Sequence, residues 1–206
     1  EMLVKVLDAS ICGTDLRIFH GNHRMYPEGT VRIPGHEVVG TIAEMGGGIP
    51  GYKIGQRVFV APNTGCGHCL QCISGNNNLC ANYLAIGVTI DGGFAEYVRI
   101  PAAAVSQGNV IAVSEDVDPA VAALMEPFAC VLRGQNPLHI KPGENVLVMG
   151  AGPIGVMHAK LAKVRGAGQV IVSEPIPDRA AQAKSLGADL VVNPAEQDLK
   201  SVLNDV

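Results

Sequence analysis

Hydrophobic and polar positions fall into two textures along the chain. Up to about residue 135, short β-prone runs at 2–7, 38–42, 57–60, 94–100 and 110–113 are separated by glycine and proline, the pattern of a mostly-β, barrel-like domain with long loops. A helical stretch over 119–132 follows, with Ala, Leu and Met at helical spacing and Asp118-Pro119 as its start. Then the texture changes. Residues 145–149 read as a short buried strand that runs directly into Gly150-Ala151-Gly152-Pro153-Ile154-Gly155, where a helix begins. Its apolar positions Ile154, Met157, Leu161 and Val164 recur every three or four residues, and Gly166 or Gly168 stops it. A strand at 169–173, a helix at 179–186 ended by Gly187 and a strand at 189–193 complete a strand-helix-strand-helix-strand run. That run is one half of a doubly wound α/β nucleotide-binding fold. The expected domains are therefore 1–135 and 136–206. The chain opens on Glu1 in a strand-like run and closes at 204–206 inside what reads as a helix, so it is read as a segment cut from a longer protein at both ends.

Composition narrows the function classes. The 206 residues are 48% apolar, ample for a packed core. A net charge of −4 without a long basic run argues against nucleic acid or an anionic membrane surface as partner and favours small molecules. No apolar stretch approaches the roughly 20 residues of a membrane helix, and no signal segment opens the chain. The reading is a cytoplasmic protein, a compartment in which grouped cysteines bind metal rather than pair.

Cys66, Cys69, Cys72 and Cys80 lie on a glycine-rich loop at a spacing that lets four thiolates converge on one ion. A closed tetrathiolate offers no open position and carries about −2 net charge, so it staples a loop rather than doing chemistry. The site is read as structural zinc. Iron–sulfur ligation uses the same thiolates, and free thiols or disulfide partners are the remaining readings.

A lone G-x-G-x-x-G is weak evidence in a chain with 25 glycines, but this one occupies a strand-to-helix turn, where its mechanics apply. Gly150 permits the tight turn, Gly152 lets backbone approach a pyrophosphate, and Gly155 allows close helix packing. Pro153 and Ile154 complete the turn at which helix N–H groups face phosphate. Glu174 ends the second strand, about 20 residues on, where a carboxylate accepts hydrogen bonds from a ribose 2′-hydroxyl. That favours NAD over NADP, with Arg179 nearby as a partial offset for a 2′-phosphate.

Cys12 in Ile11-Cys12-Gly13-Thr14-Asp15 and His36-Glu37 in Gly35-His36-Glu37-Val38 are not diagnostic alone; a lone cysteine reads as a small hydrophobe and a lone histidine as a satisfied pair. Taken in order, however, C-G-T-D, G-H-E, the four-cysteine loop, M-E-P and G-A-G-P-I-G resemble the zinc-dependent medium-chain alcohol and polyol dehydrogenases over nearly the whole chain, with a flavour of the sorbitol, threonine and butanediol dehydrogenase branch. The resemblance implies a GroES-like catalytic domain with a catalytic zinc, a Rossmann domain that brings nicotinamide beside it, and a homo-oligomer, dimer or tetramer, at full length. It implies Cys12 and His36 as ligands, with either Glu37 or Glu126 of Met125-Glu126-Pro127 as the third. Cys, neutral His and one carboxylate balance a divalent ion, so one carboxylate is expected to bind directly and the other through water or transiently. Cys130 is read as a core thiol. Asp15 is the expected partner of the other His36 ring nitrogen, and Thr14 matches the hydroxyl that touches the substrate oxygen.

One position departs from the branch. A histidine often follows the first cysteine ligand by five residues, and here that residue is Arg17, which cannot shuttle protons near neutral pH. Pairing with a cofactor phosphate is one role for it. His20 and His23 could substitute in proton exit, although each reads more simply as an exposed loop residue; His68, His139 and His158 are read as surface or helix-packing residues. The reaction expected is NAD-dependent oxidation of a secondary alcohol or polyol, with Cys12, Thr14, His36, Glu37 and Glu126 as its residues. The rival class is a zinc-stapled nucleotide-binding protein without dehydrogenase activity, a redox sensor or assembly subunit.

Overall fold

The computed structural model describes residues 1–204 and 206; of the run 204–206 read as helix interior, Asp205 lies outside the described residues. The chain separates into two compact units, Glu1–Glu126 and Pro127–Val206.

In the first unit, strands β1 (Met2–Ser10), β2 (Glu37–Met45), β3 (Arg57–Val60), β4 (Asn63–Thr64), β5 (Leu84–Ala85), β6 (Tyr97–Ile100) and β7 (Val110–Ala112) alternate with short helices α1 (Gly13–Phe19), α2 (Leu70–Ile73) and α3 (Ala102–Ser106). A five-stranded antiparallel sheet runs in the order β6-β1-β2-β3-β7, and β4 pairs with β5 apart from it. Val4, Val38, Val58, Val98 and Ile100 are almost fully buried, each stabilising the fold by about 1.5–3 kcal/mol against exposure. The β1–β2 pairing carries two register shifts. Met2 faces Met45, Val4 faces Ile42, and by Ser10 the partner is Glu37; Ala43 and Leu7 are the residues left without a partner.

Two sequence expectations are corrected here, both with consequences for the site. The run at 94–100 is a strand only from Tyr97. Before it, the N–H groups of Gly92, Gly93 and Phe94 donate to the carbonyls of Ile33, Gly35 and Pro34 at 2.8, 2.8 and 3.0 Å, so these residues brace the loop ahead of His36 instead of extending the sheet. The helix over 119–132 is two helices, α4 (Pro119–Ala123) and α5 (Met125–Gln135). Pro127 requires the interruption, because it lacks a backbone donor and is tolerated only in a first helical turn. The break puts Glu126 in that turn.

The division between the units falls inside α5, earlier than the boundary at 135 expected from texture. The later part of the helix belongs with the second unit: the fully buried Gln135 donates through Nε2 to the carbonyl of His158 at 2.7 Å. There β8 (Val146–Met149), α6 (Pro153–Val164), β9 (Val170–Ser173), α7 (Pro177–Ser185), β10 (Leu190–Val192) and α8 (Leu199–Asn204) follow in turn, and the parallel sheet runs β10-β9-β8. The apolar ladder of α6 is only partly its buried face. Leu161 of that ladder is buried together with Ala159 and Ala162, whereas Ile154 and Val164 are 45% and 83% exposed. The start of the helix lies close against the turn before it: a Cβ on Gly155 would stand 2.0 Å from the Gly150 carbonyl oxygen. Among the described residues, no helix is long and apolar enough to cross a membrane.

Candidate metal centres and dinucleotide turn

Cys12 sits just past β1 at the N-terminus of α1, and Glu37 is the first residue of β2. Because β1 and β2 pair with Ser10 opposite Glu37, the sheet itself brings the two motifs together across more than twenty residues of loop. Ligand atoms of Cys12, His36 and Glu37 lie within 4.8 Å of one another, with His36 and Glu37 buried. The Ser10 hydroxyl donates to Glu37 Oε2 and orients the carboxylate. Asp15 accepts from the Cys12 N–H at 2.8 Å through Oδ2 and faces His36 Nδ1 with Oδ1 at 3.6 Å. Neither of those facing atoms has a hydrogen-bond partner. Turned this way, the ring reserves Nδ1 for Asp15 and leaves Nε2 with a lone pair, as a metal-binding imidazole requires.

The electrostatics of this cluster call for a cation. Burial works against charge on His36, but Asp15 and Cys12 outweigh it and raise the imidazole to about 10. His36 in turn holds the Cys12 thiol below its usual range against the opposing effect of burial. A proton on His36 thus stands where a divalent ion would act, and metal binding displaces it. Cys, His and carboxylate form a zinc-type donor set with net charge near −2, which one Zn²⁺ balances.

Glu126 stands outside this cluster. It lines a cavity of about 270 Å³ together with Thr14, His36, His23, Arg24 and Asn63. Arg17 does not reach away from the site: its Nη2 donates to Thr14 Oγ1 at 3.5 Å. His20 is exposed, while His23, read from sequence as a loop residue, is on the cavity wall.

The loop ahead of His36 is placed by contacts the sequence does not announce. Gly87 approaches it so closely that a Cβ there would meet the Gly35 carbonyl oxygen at 2.2 Å and the His36 nitrogen at 2.9 Å. A stretch fifty residues downstream therefore sets the position of a candidate ligand.

The four-cysteine loop is a separate, closed cluster. All four sulfurs lie within 4.8 Å of one another. The contacts Cys69–Cys72, Cys69–Cys80 and Cys66–Cys72 measure 3.5, 3.9 and 4.0 Å, far beyond a disulfide bond and close to the edge of about 3.8 Å of a tetrahedron with 2.3 Å Zn–S bonds. N–H groups of His68 and Cys69 draw Cys66 down to about 6, while burial and the neighbouring thiols push Cys72 up to about 11. Four thiolates so close do not ionise together without a cation among them, and the donor set fits zinc. His68 is exposed, with Nδ1 against the Cys66 carbonyl at 2.9 Å.

In the second unit the glycine turn joins β8 to α6, and Gly152 is the residue before the helix. Glu174 follows β9 directly and is buried. Its carboxylate accepts the N–H of Ala151 at 2.7 Å and that of Ile176 at 2.9 Å, and these bonds hold it below the usual carboxylate range. It is thus tied to the turn, and Arg179 lies exposed on α7. Of the other predicted surface histidines, His139 is exposed and His158 packs against Gln135; Cys130, read as a core thiol, is exposed.

Comparison with known proteins agrees with this arrangement. Residues 1–117 match the alcohol dehydrogenase GroES-like domain and 153–206 the zinc-binding dehydrogenase family. An L-threonine 3-dehydrogenase of Chelativorans sp. (strain BNC1) is 40% identical over 206 residues, covering 98% of this chain and 58% of that protein. An alcohol dehydrogenase of Escherichia coli CFT073 solved with NADH has a TM-score of 0.88 and 36% identity, covering 99% of this chain and 58% of that one. A structure from Sinorhizobium meliloti 1021, described as a zinc-binding dehydrogenase and bound to NADP, has a TM-score of 0.87 and 37% identity over 96% of this chain and 56% of its own. The chain belongs to the zinc-dependent medium-chain alcohol and polyol dehydrogenase family, with a GroES-like domain followed by part of a Rossmann domain. It spans about 58% of the length of the curated relatives it matches.

Proposed function

We propose that this chain carries the zinc centres and the dinucleotide turn of an NAD-dependent dehydrogenase that interconverts a secondary alcohol or polyol and its ketone. The observation that carries the reading is the Cys12–His36–Glu37 cluster, with His36 and Glu37 buried and Cys12 half-buried, sharing His36 with a cavity that Thr14 and Glu126 also line. Cys12, His36 and Glu37 hold the catalytic zinc, and Cys66, Cys69, Cys72 and Cys80 hold the structural one. Gly150, Gly152, Pro153, Ile154 and Gly155 receive the pyrophosphate, with Glu174 and Arg179 toward the ribose. When bound, the catalytic ion supplies Lewis acidity at an alcohol oxygen, and NAD supplies the hydride acceptor.

The residues of the chain do the rest. Asp15 keeps the Nδ1 proton of His36 in place, so the ring stays a ligand through the cycle. Ser10 orients Glu37. Thr14 relays the proton of the substrate hydroxyl, accepting it at Oγ1 while passing its own hydroxyl proton to water, and the Arg17 guanidinium beside it favours the negative charge developing on the substrate oxygen without taking a proton itself. Glu126 stays on the cavity wall, where its carboxylate binds water. Free thiols grouped for metal support a cytoplasmic setting, and a homo-oligomer fits the family.

The test is made on the full-length protein. Elemental analysis is expected to give two zinc ions per chain, and sorbitol, L-threonine, 2,3-butanediol and simple secondary alcohols are assayed for NADH formation. One tightly held zinc per chain and no alcohol-dependent NADH would instead support a nucleotide-binding protein without dehydrogenase activity.

A further inference from the structure

The cavity beside the Cys12 cluster has a charged wall that the reaction itself leaves unused. Arg24 lines it alongside Thr14, His36 and Glu126, and among the described residues it takes part in no ion pair or hydrogen bond. Its loop is held in place. The Arg32 guanidinium donates to the Met25 carbonyl at 3.2 Å and to that of Val88, and lies 4.9 Å over the Tyr26 ring. The Tyr26 hydroxyl donates to the Gly87 carbonyl at 3.4 Å. Arg24 therefore extends from a backbone fixed on both sides, close to the same Gly87 that sets the His36 loop.

Two neighbouring polar groups on this wall, His23 and Asn63, are donors too, while Glu126 is its carboxylate. His23 Nδ1 accepts the Met25 N–H at 3.3 Å, so the ring presents an Nε2–H. The Tyr83 hydroxyl donates to Asn63 Oδ1, which leaves the Asn63 NH₂ as its free end. A guanidinium fork with an imidazole N–H and an amide NH₂ is chemistry for a carboxylate or phosphate. A volume of about 270 Å³ admits only a small molecule.

We propose that this cavity selects small alcohols bearing an anionic group, a carboxylate or a phosphate, and that Arg24 is the residue that selects them. The inference rests on the dehydrogenase reading above and deepens it by naming the substrate class.

The experiment uses the full-length, zinc-loaded protein and two matched pairs: 3-hydroxybutyrate against 3-hydroxybutyramide, and glycerol 1-phosphate against glycerol. In at least one pair the anion is expected to exceed its neutral partner in kcat/KM by about 10-fold or more, and the pair that responds identifies carboxylate or phosphate. Arg24→Gln lowers that ratio about 10-fold or more, through KM for the alcohol, and Arg24→Lys restores part of it. A ratio near one in the unaltered protein, a ratio that Arg24→Gln leaves in place, or a rise in KM for NAD instead of the alcohol would overturn the proposal. Calorimetric titration of the same four compounds separates the two readings. Anion binding that depends on Arg24 without turnover keeps the subsite and removes the dehydrogenase; turnover without charge preference does the reverse; neither binding nor turnover removes both.

Discussion

Asp15 does two jobs with one carboxylate, accepting the Cys12 N–H with one oxygen and facing His36 Nδ1 with the other. Asp15→Asn keeps an acceptor for Cys12 but turns an amide toward the ring, so the anion that stabilises the ligating tautomer is lost. Zinc affinity of the catalytic centre is expected to fall about 10–100-fold, read by competition with a chromophoric chelator, while the four-cysteine zinc stays. The same measurement separates the two candidate carboxylates. Glu37 belongs to the compact donor cluster and Glu126 does not. We therefore expect Glu37→Gln to reduce the zinc content from two ions per chain toward one, and Glu126→Gln to retain both while lowering kcat; the opposite pattern makes Glu126 the ligand.

At the level of elements, the glycine turn and its carboxylate can be probed independently of activity. Gly155→Ala pushes a methyl into the Gly150 carbonyl, an overpacking that costs about 1–3 kcal/mol, and a drop of several degrees in Tm with loss of NAD binding is expected. Glu174 answers to pH. Its folded value lies below the usual one, so its contribution is complete above the unfolded value of 4.5 and disappears as pH falls from there through the folded value. Thermal melts followed by circular dichroism should lose stability in that acid range, and Glu174→Gln should flatten the fall. These elements were legible in the sequence because their determinants are local: the turn at 150–155 and the cysteines at 66–80 each carry their whole signature within a short run. The helix break before Pro127 had a local signal too, in the proline itself. The His36 loop had none, since Gly87 and the segment 92–94 hold it from fifty residues away. The periodicity of α6 revealed its buried face only in part: Leu161 is buried as its spacing suggests, but Ile154 and Val164 repeat on a side that packing leaves exposed, while the small Ala159 and Ala162 are buried beside Leu161.

For the molecule as a whole, the fold class followed from texture and the family from motif order, whereas Asn63 joins the adjacent His23 and Arg24 only in three dimensions. The long pairing between β1 and β2 ties these scales together. Its two bulges place one surplus residue in each strand, Ala43 in β2 and Leu7 in β1, and the second cancels the first, so that Ser10 again faces Glu37 in the phase with which Met2 faces Met45. Removing Leu7 alone would close its bulge and set Val6 and Asp8 side by side opposite Gly40 and Val39, with Ser10 still facing Glu37 but the local bend and twist beside Cys12 lost. Removing Ala43 alone would close the other bulge, at the end of the ribbon away from Cys12. Zinc content is expected to fall when Leu7 is removed, alone or together with Ala43, and to stay near normal when Ala43 alone is removed. Inheritance of the hairpin would then tolerate a change of length at the far bulge but not at the near one, a constraint on lineages rather than on any single side chain.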